Sequence, residues 1–333
     1  MMNDIQQSMA WLQPSWSQLS NYIDQNRIPQ ALLIIGNKGL GKQQLAEFFS
    51  QSLMCSSPLP EGGGCGKCQS CTLFQAKNHP DYIFIAPEET GKTIGIDSVR
   101  QLTAKLALKP QYESYRLVVI NPADSLNNAS ANAFLKYLEE PTERTCLILI
   151  TDRPSKLPAT IRSRCQKLLV SVSDETAVKT WLTQQGVVEN VDLLLKISQS
   201  SPLLAKRLSE DSALNIRADS FKQWQKVAKL EDNFVTIAEQ WNKLDKAVMD
   251  LLLSWLISWV GDIIKLSHHR QTANIANLDL KTSLQEMAEK LDLKMLYKHY
   301  DFLLLSRQRL DTQLNKQLMI EEILIQWSGL NGG

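Results

Sequence analysis

The sequence predicts an α/β domain with a parallel sheet in its first half and an all-helical second half. Short apolar runs alternate with amphipathic helical segments as far as Val170, and only helical patterns follow that residue. Apolar runs without polar alternation are typical of strands buried on both faces. Strands that alternate with helices are typical of a parallel sheet covered by helices on both faces. A glycine-rich turn between the first run and the first helix supports the same fold class.

The predicted elements follow one another in a regular order. The predicted strands lie at 32–35, 81–85, 117–120, 146–150 and 167–170. Helices are predicted from Gly41 to Met54, from a capping Asp97 to Leu108, and from Ser125 to Leu138 before Pro141. The remaining helical patterns all lie beyond Val170.

Length and composition indicate a globular chain of more than one domain. The sequence has 333 residues, of which 44% are hydrophobic and 21% charged, and its formal net charge is +1. A single core does not usually serve so long a chain, and so small a net charge gives no overall attraction to nucleic acid. We predict an α/β domain at 1–170, a small helical domain at 171–211 and a larger helical domain at 212–333.

The most apolar segment, from Ala247 to Ile264, is predicted to be a buried helix. Asp250 and Asp262 interrupt it, and the apolar run between them is too short to cross a bilayer. The first residues contain no apolar stretch of the signal-peptide kind, so we expect a cytoplasmic protein. The tryptophans of the helical half are expected to pack in its core. They are Trp224, Trp241, Trp255, Trp259 and Trp327.

The segment from Gly36 to Gln43 has the position and pattern of a phosphate-binding loop, because it follows a predicted strand and opens a predicted helix. Gly36, Gly39 and Gly41 would let backbone N–H groups surround a phosphate, and Lys42 would add a positive charge. A magnesium-binding loop needs Ser or Thr after the lysine, whereas this chain has Gln43. The loop therefore predicts either weak, vestigial nucleotide binding or no nucleotide binding.

The end of the third predicted strand lacks the acidic residues of a working ATPase. The strand runs into Asn121 and Pro122, neither of which is a carboxylate, and Asp124 lies beyond the strand end. Loss of such charges costs orders of magnitude in rate where they do the chemistry. Together with Gln43, this predicts a chain that does not hydrolyse ATP by itself.

Four of the six cysteines fall within one glycine-rich segment at 55–71. They are Cys55, Cys65, Cys68 and Cys71. Four thiolates at this spacing match a closed tetrahedral site, so we predict a structural zinc ion, with reduced free thiols or a redox pair as the alternatives. Cys146 and Cys165 are expected to be buried, unreactive thiols. His79 is interpreted as a surface or capping residue.

These features together resemble the clamp-loader ATPases of the AAA+ group over essentially the whole chain. The resemblance is carried by the phosphate loop with the four-cysteine insert after it, by His79-Pro80-Asp81, by the segment from Asn132 to Pro141, and by Ile161-Arg162-Ser163-Arg164-Cys165. It implies a RecA-like domain with a zinc module, a helical lid and a helical collar domain. It also implies a hetero-pentameric ring with a delta subunit and three gamma or tau subunits, which places the beta sliding clamp on primed DNA.

The resemblance implies that Arg164 is an arginine finger, which acts on ATP bound by a neighbouring subunit. A guanidinium offers paired donors and a permanent charge to a γ-phosphate. The alternative is that Arg164 only pairs with a local carboxylate. Leu203 stands where the lid arginine of active relatives is expected. Added to the losses at Gln43 and Asn121, this indicates a non-hydrolysing ring subunit.

Two other functions are alternatives to that interpretation. An active ATPase of the gamma or tau type would have to work with Gln43, Asn121 and Pro122 in its nucleotide site. A zinc-ribbon DNA-binding protein would need basic residues among the cysteines, where Lys67 is the one that the sequence offers.

Overall fold

The computed structural model describes residues 9–89, 92–106, 109–112, 114–140, 142–210, 213–269, 274–310 and 315–330. All candidate site residues named above lie within these ranges. Leu108, Pro141 and the predicted domain boundary at 211–212 lie outside the described residues.

The chain divides into two compact units. The first consists of Met1–Gly186 with Ser201–Leu204, and the second of Val187–Ser200 with Ala205–Gly333. The division into three domains stays a prediction.

The first unit is built on a five-stranded parallel sheet. Its strands are β1 (Ala31–Ile35), β2 (Tyr82–Ile85), β3 (Arg116–Ile120), β4 (Thr145–Thr151) and β5 (Gln166–Leu169), in the order β2-β3-β4-β1-β5. Leu149 of β4 is aligned with Leu33 of β1 on one side and with Ile120 of β3 on the other. Every residue of β3 and β4 is buried, as their continuous apolar runs require. All five predicted strands are therefore confirmed, each within one residue of its predicted ends.

Among the described residues of this unit, seven segments are α-helices. They are α1 (Gln13–Asp24), α2 (Lys42–Met54), α3 (Gln69–Gln75), α4 (Ile96–Leu106), α5 (Asn128–Glu139), α6 (Ala159–Arg164) and α7 (Glu175–Gln184). Short 3₁₀ turns lie at Ala10–Leu12, Ala123–Ser125 and Pro154–Lys156. The apolar faces of α4 and α5 share one core with the sheet, to which Val99, Leu102 and Phe134 contribute.

Two predicted helix starts are wrong. Asp97 does not cap α4 but lies in its first turn, where its carboxylate suits the positive end of the helix and pairs with Arg100 at 3.1 Å. The helix predicted from Ser125 begins only at Asn128. Asn127 is its cap and accepts a hydrogen bond from the Ser130 N–H at 2.8 Å, so this side chain sets the start.

The second unit is helical throughout the part that the structure describes. Its helices are α8 (Val191–Ile197), α9 (Pro202–Glu210), α10 (Ala213–Ala228), α11 (Phe234–Asn242), α12 (Lys246–His268), α13 (Lys281–Lys290), α14 (Leu293–Arg309) and α15 (Lys316–Gly329), with a 3₁₀ turn at Leu278–Leu280. The first three residues of α9 belong to the first unit. The five tryptophans of this half are all buried, as predicted. Trp224 and Trp327 stack with ring centroids 3.8 Å apart, and the Trp327 indole N–H donates to the Trp224 carbonyl.

Within the described residues, α12 is long enough and apolar enough to cross a membrane, judged by length and composition alone. It lies inside the second unit, where 61% of its apolar window is buried. Asp262 within it is 1% exposed and accepts hydrogen bonds from the backbone N–H groups of Ala276 and Asn277. A buried carboxylate needs such partners, and here the protein core supplies them. This is the buried helix that the sequence predicts.

Candidate functional site

The phosphate loop connects β1 to α2, as predicted. Gly41 caps α2 with a φ of 85°, and Gly39 has the same φ. Both positions thus need glycine for their left-handed backbone. Gly36 is required for space, because a Cβ there would lie 2.4 Å from the Val170 carbonyl oxygen. The loop has the strand-to-helix geometry of a phosphate site.

The lysine of the loop is directed at the loop itself. Lys42 is 8% exposed, and its Nζ donates to the carbonyl oxygens of Gly36 at 2.7 Å and Asn37 at 2.8 Å. Burial lowers the pKa of Lys42, while the nearby carboxylates of Asp152 and Asp124 oppose that shift. In this arrangement Lys42 stabilises the turn.

Gln43 and Asn121, which the sequence presents as separate losses, are hydrogen-bonded to each other. The Asn121 Nδ2 donates to Gln43 Oε1 at 2.9 Å, and the Gln43 Nε2 donates to Glu47 Oε1 at 2.9 Å. An active site would have a hydroxyl and a carboxylate here to hold magnesium. In the corresponding positions this chain has two amides that bond to each other, and the row ends at the Glu47 carboxylate. Sequence reasoning missed this contact, although the complementary donors and acceptors of two amides were the available signal.

The Asp124 side chain is buried, and each of its two oxygens accepts a hydrogen bond. It lies in the Ala123–Ser125 turn, and its side chain is 1% exposed. Thr151 Oγ1 donates to Oδ1 at 2.6 Å, and Arg153 Nε donates to Oδ2 at 3.2 Å. This carboxylate therefore holds the end of β4. Sequence reasoning missed the roles of Thr151 and Arg153.

The segment Ser201–Leu204 lies against the phosphate loop. The Leu203 N–H donates to the Gly39 carbonyl oxygen at 3.1 Å. A Cβ on Gly39 would lie 2.8 Å from the backbone nitrogen and Cβ of Leu204. The backbone of Leu203 and the Leu204 side chain thus lie against Gly39 of the loop.

Arg164 is the last residue of α6. It pairs with a local carboxylate, which is the alternative to the finger role. Its Nη2 lies 2.7 Å from Glu139 Oε1, and its Nη1 donates to the Thr160 carbonyl oxygen at 3.0 Å. The Arg164 side chain remains 38% exposed. Its action on a neighbouring subunit stays a prediction.

The four clustered cysteines converge on one point. Their Sγ atoms all lie within 4.8 Å of one another, and those of Cys55 and Cys68 are 3.8 Å apart. A tetrahedral site with metal–sulfur distances of about 2.3 Å has S···S edges of about 3.8 Å. Four sulfur ligands without a carboxylate suit a tetrahedral ion of the zinc kind. The cluster can therefore hold a metal ion.

Backbone N–H groups point at three of these sulfurs. Cys65 donates to Cys55 Sγ at 3.2 Å, Cys68 to Cys65 Sγ at 3.3 Å, and Cys71 to Cys68 Sγ at 3.4 Å. Burial acts to raise the pKa of Cys68, but N–H donors from Cys71 and Ser56 outweigh it and lower the pKa to about 6. Burial raises the pKa values of Cys55 and Cys71, so the N–H donors favour the thiolate at Cys68 but not at every sulfur of the cluster.

The glycine run of the cysteine segment is a packing surface. A Cβ on Gly62 would lie 2.0 Å from the Trp16 ring, and one on Gly63 would lie 2.6 Å from the Phe48 ring. The Trp16 indole N–H also donates to the Glu61 carbonyl oxygen at 3.0 Å. Close approach and a left-handed backbone, with φ of 96° at Gly62 and 79° at Gly63, together explain these glycines.

His79 is buried, so the surface interpretation is wrong, whereas its hydrogen bond from the Asp81 N–H agrees with the capping interpretation. It is 4% exposed, its Nδ1 accepts from the Asp81 N–H, and its Nε2 lies 2.8 Å from Ser70 Oγ. Because Nδ1 accepts, Nε2 carries the proton and donates to Ser70. Ser70 lies in α3, so His79 ties the cysteine segment to β2.

Cys146 and Cys165 are both buried, as predicted. Burial raises the pKa of Cys146 to about 12 and that of Cys165 to about 11. Neither thiol is activated at neutral pH.

Replacing Lys42 by Met is expected to lower the free energy of unfolding by about 1–3 kcal/mol, because two loop carbonyls lose a charged donor. Urea denaturation measures the change. Lys38→Met is the matched control, since Lys38 is an exposed residue of the same loop. Unchanged stability with loss of nucleotide binding would instead mean that Lys42 faces a ligand.

Comparisons with known proteins agree over both units. Residues 12–173 match the family model described as DNA polymerase III, delta subunit, and residues 211–329 match that described as its C-terminal part. The chain is 33% identical over 329 residues to DNA polymerase III subunit delta' of Pseudomonas aeruginosa, covering 97% of this chain and 98% of the relative. It is 31% identical over 319 residues to the subunit of that name from Escherichia coli K12, covering 95% and 93%. A solved structure of a DNA polymerase III gamma subunit-related protein from Thermotoga maritima is similar with a TM-score of 0.46 and 18% identity, covering 95% of this chain and 99% of that one.

Proposed function

The chain belongs to the DNA polymerase III delta' family, and from that membership we propose that it is a clamp-loader subunit that does not hydrolyse ATP and acts on ATP held by a neighbour. It is then not an enzyme by itself. It is a component of the DNA polymerase III holoenzyme, a DNA-directed DNA polymerase and thus a nucleotidyltransferase.

The hydrogen-bonded row from Asn121 through Gln43 to Glu47 is the observation that carries the proposal. Phosphoryl transfer depends on magnesium and on charges that stabilise the spreading negative charge of the phosphate. Amides that are already paired supply neither a magnesium ligand of the required kind nor a base. Gly36, Gly39, Gly41 and Lys42 would therefore hold nucleotide weakly or not at all.

Arg164 is the group through which we propose that the chain acts. Its guanidinium is at the surface, so an approaching subunit can reach it. A γ-phosphate carries more negative charge than a carboxylate, and it can accept hydrogen bonds from the guanidinium donors that Glu139 and Thr160 do not engage. These properties suit a finger that works in trans.

The cysteine cluster would hold a structural zinc ion. Cys55, Cys65, Cys68 and Cys71 would be its ligands, and a four-sulfur set leaves no open position for catalysis. Zinc would supply a cross-link between the end of α2, which Cys55 caps, and the start of α3, which Cys68 caps.

The proposed partners are delta and gamma or tau subunits in a hetero-pentameric ring. The ring would act on the beta sliding clamp and on primed DNA in the cytoplasm. The helical second unit supports an assembly role, since it carries several exposed apolar side chains on its helices. They include Leu304, Leu305, Leu318 and Ile325.

Reconstitution tests the proposed function. The pure chain is expected to show no ATP turnover, and a mixture of gamma-type and delta-type partners is expected to load the clamp efficiently only when the chain is added. Turnover by the pure chain that is lost in Lys42→Ala would favour an active gamma or tau type of ATPase. Tight, salt-dependent duplex binding by the isolated chain would favour the zinc-ribbon alternative.

A further inference from the structure

Two contacts fix the plane of the Arg164 guanidinium at the surface. Nη2 lies 2.7 Å from Glu139 Oε1, and Nη1 donates to the Thr160 carbonyl oxygen, one turn back in α6, at 3.0 Å. Both partners of the ion pair stay partly open to solvent, Arg164 at 38% and Glu139 at 52% exposure. The guanidinium is thus oriented without being buried.

Glu139 lies at a position that is unfavourable for its own helix. It is the last residue of α5, and Glu140 follows it as the helix cap. The carboxyl end of a helix carries partial negative charge, so carboxylates there need a nearby cation. Arg164 is such a cation for Glu139, and it stands at the carboxyl end of α6, where positive charge is favourable. The pair joins the ends of two helices that pack together.

We propose that Glu139 is a positioning residue that holds Arg164 in the orientation in which a neighbouring subunit's γ-phosphate meets it. The inference rests on the proposed role of Arg164 in trans. Of the five N–H donors of an arginine, the two contacts described above engage two. The remaining donors can meet a phosphate while Glu139 and Thr160 keep the plane fixed.

Holding Arg164 in place reduces the side-chain entropy that is lost when it binds a phosphate. A free arginine side chain loses many rotamers when it binds a phosphate, whereas one already ordered in the free subunit loses few. The ordered fork also meets the transferring phosphate in a productive geometry more often, which raises the rate of the step rather than the affinity for ATP.

Single-turnover ATP hydrolysis by the reconstituted ring tests this role. Glu139→Ala is expected to slow hydrolysis at the site that faces Arg164 about 3- to 10-fold at saturating ATP, with the half-saturating ATP concentration unchanged. Glu139→Gln keeps an acceptor oxygen and is expected to restore most of the rate. Glu140→Ala, at the next exposed residue of the same helix end, is the matched control and is expected to keep the wild-type rate. In an Arg164→Ala background, Glu139→Ala is expected to have no further effect.

The outcomes separate this inference from the proposed function. If Arg164→Ala slows hydrolysis and Glu139→Ala does not, the positioning role is overturned and the finger role stands. Faster hydrolysis by Glu139→Ala would mean that Glu139 restrains the arginine, which also overturns the inference. If Arg164→Ala has no effect, the finger role itself fails.

Discussion

Replacing Arg164 by alanine is expected to slow ATP hydrolysis by about 10³-fold or more at the neighbouring site that this residue faces. The reason is that a guanidinium beside the transferring phosphate offsets charge that spreads over the phosphate oxygens in the transition state. In a single-turnover experiment the ring should lose the rapid hydrolysis of that site and keep the hydrolysis of its other sites.

The same variant should fold and assemble normally. The Arg164–Glu139 pair is partly exposed, and pairs of this kind contribute about 1 kcal/mol or less. Urea denaturation and gel filtration of the reconstituted ring check both points. Arg164→Lys is an informative companion, because it keeps the charge but loses the planar fork and should recover only a small part of the rate. Full hydrolysis by Arg164→Ala in an intact ring would refute the finger assignment.

Breaking the cysteine cluster is expected to have the largest effect on stability. Cys71→Ser should lower the free energy of unfolding by at least about 3 kcal/mol, since structural zinc contributes directly to folding. Without the ion, thiolates within 4.8 Å of one another would repel each other or have to take up protons. The packing of Gly62 on Trp16 and of Gly63 on Phe48 would lose its cross-link.

Metal content and thermal unfolding check this prediction together. Protein purified without chelator should contain one zinc ion per chain, and a chelator should lower its melting temperature. Cys165→Ala is the matched control and should keep the metal, because this thiol lies outside the cluster. Much less than one zinc per chain in the unmodified protein, or full metal content in Cys71→Ser, would contradict the site.

The sequence predicts well those features that depend on residues close together in the chain. The run Leu117-Val118-Val119-Ile120 is apolar throughout because the strand is buried on both faces, so its position follows from the sequence. The phosphate loop can also be predicted from local sequence, because its three glycines and its lysine all lie between Gly36 and Lys42. The close spacing of Cys65, Cys68 and Cys71 likewise predicts that they bind one metal ion together.

Contacts between residues far apart in the chain could not be predicted from the sequence. Gln43 meets Asn121 across 78 positions because β1 and β3 are parallel and end at the same edge of the sheet. The residues around each amide give no sign of this contact. The sequence therefore presents Gln43 and Asn121 as two separate changes, whereas in the structure they form one hydrogen-bonded pair. The burial of His79 was missed for a different reason: its partner Ser70 is only 9 residues away, but it lies in α3, and no periodic pattern links that helix to the segment before β2.

The sequence by itself determined the fold class and the positions of the strands, and it predicted a four-cysteine metal site and a nucleotide site without acidic groups. Only the tertiary structure decided what the remaining side chains do. In it, Lys42 donates to the loop carbonyls, Asn121 donates to Gln43, and Arg164 pairs with Glu139. The physical reason is that hydrophobic periodicity and ligand spacing are carried by residues close in the chain. Hydrogen bonds and ion pairs between side chains depend instead on which ends of strands and helices the fold brings together.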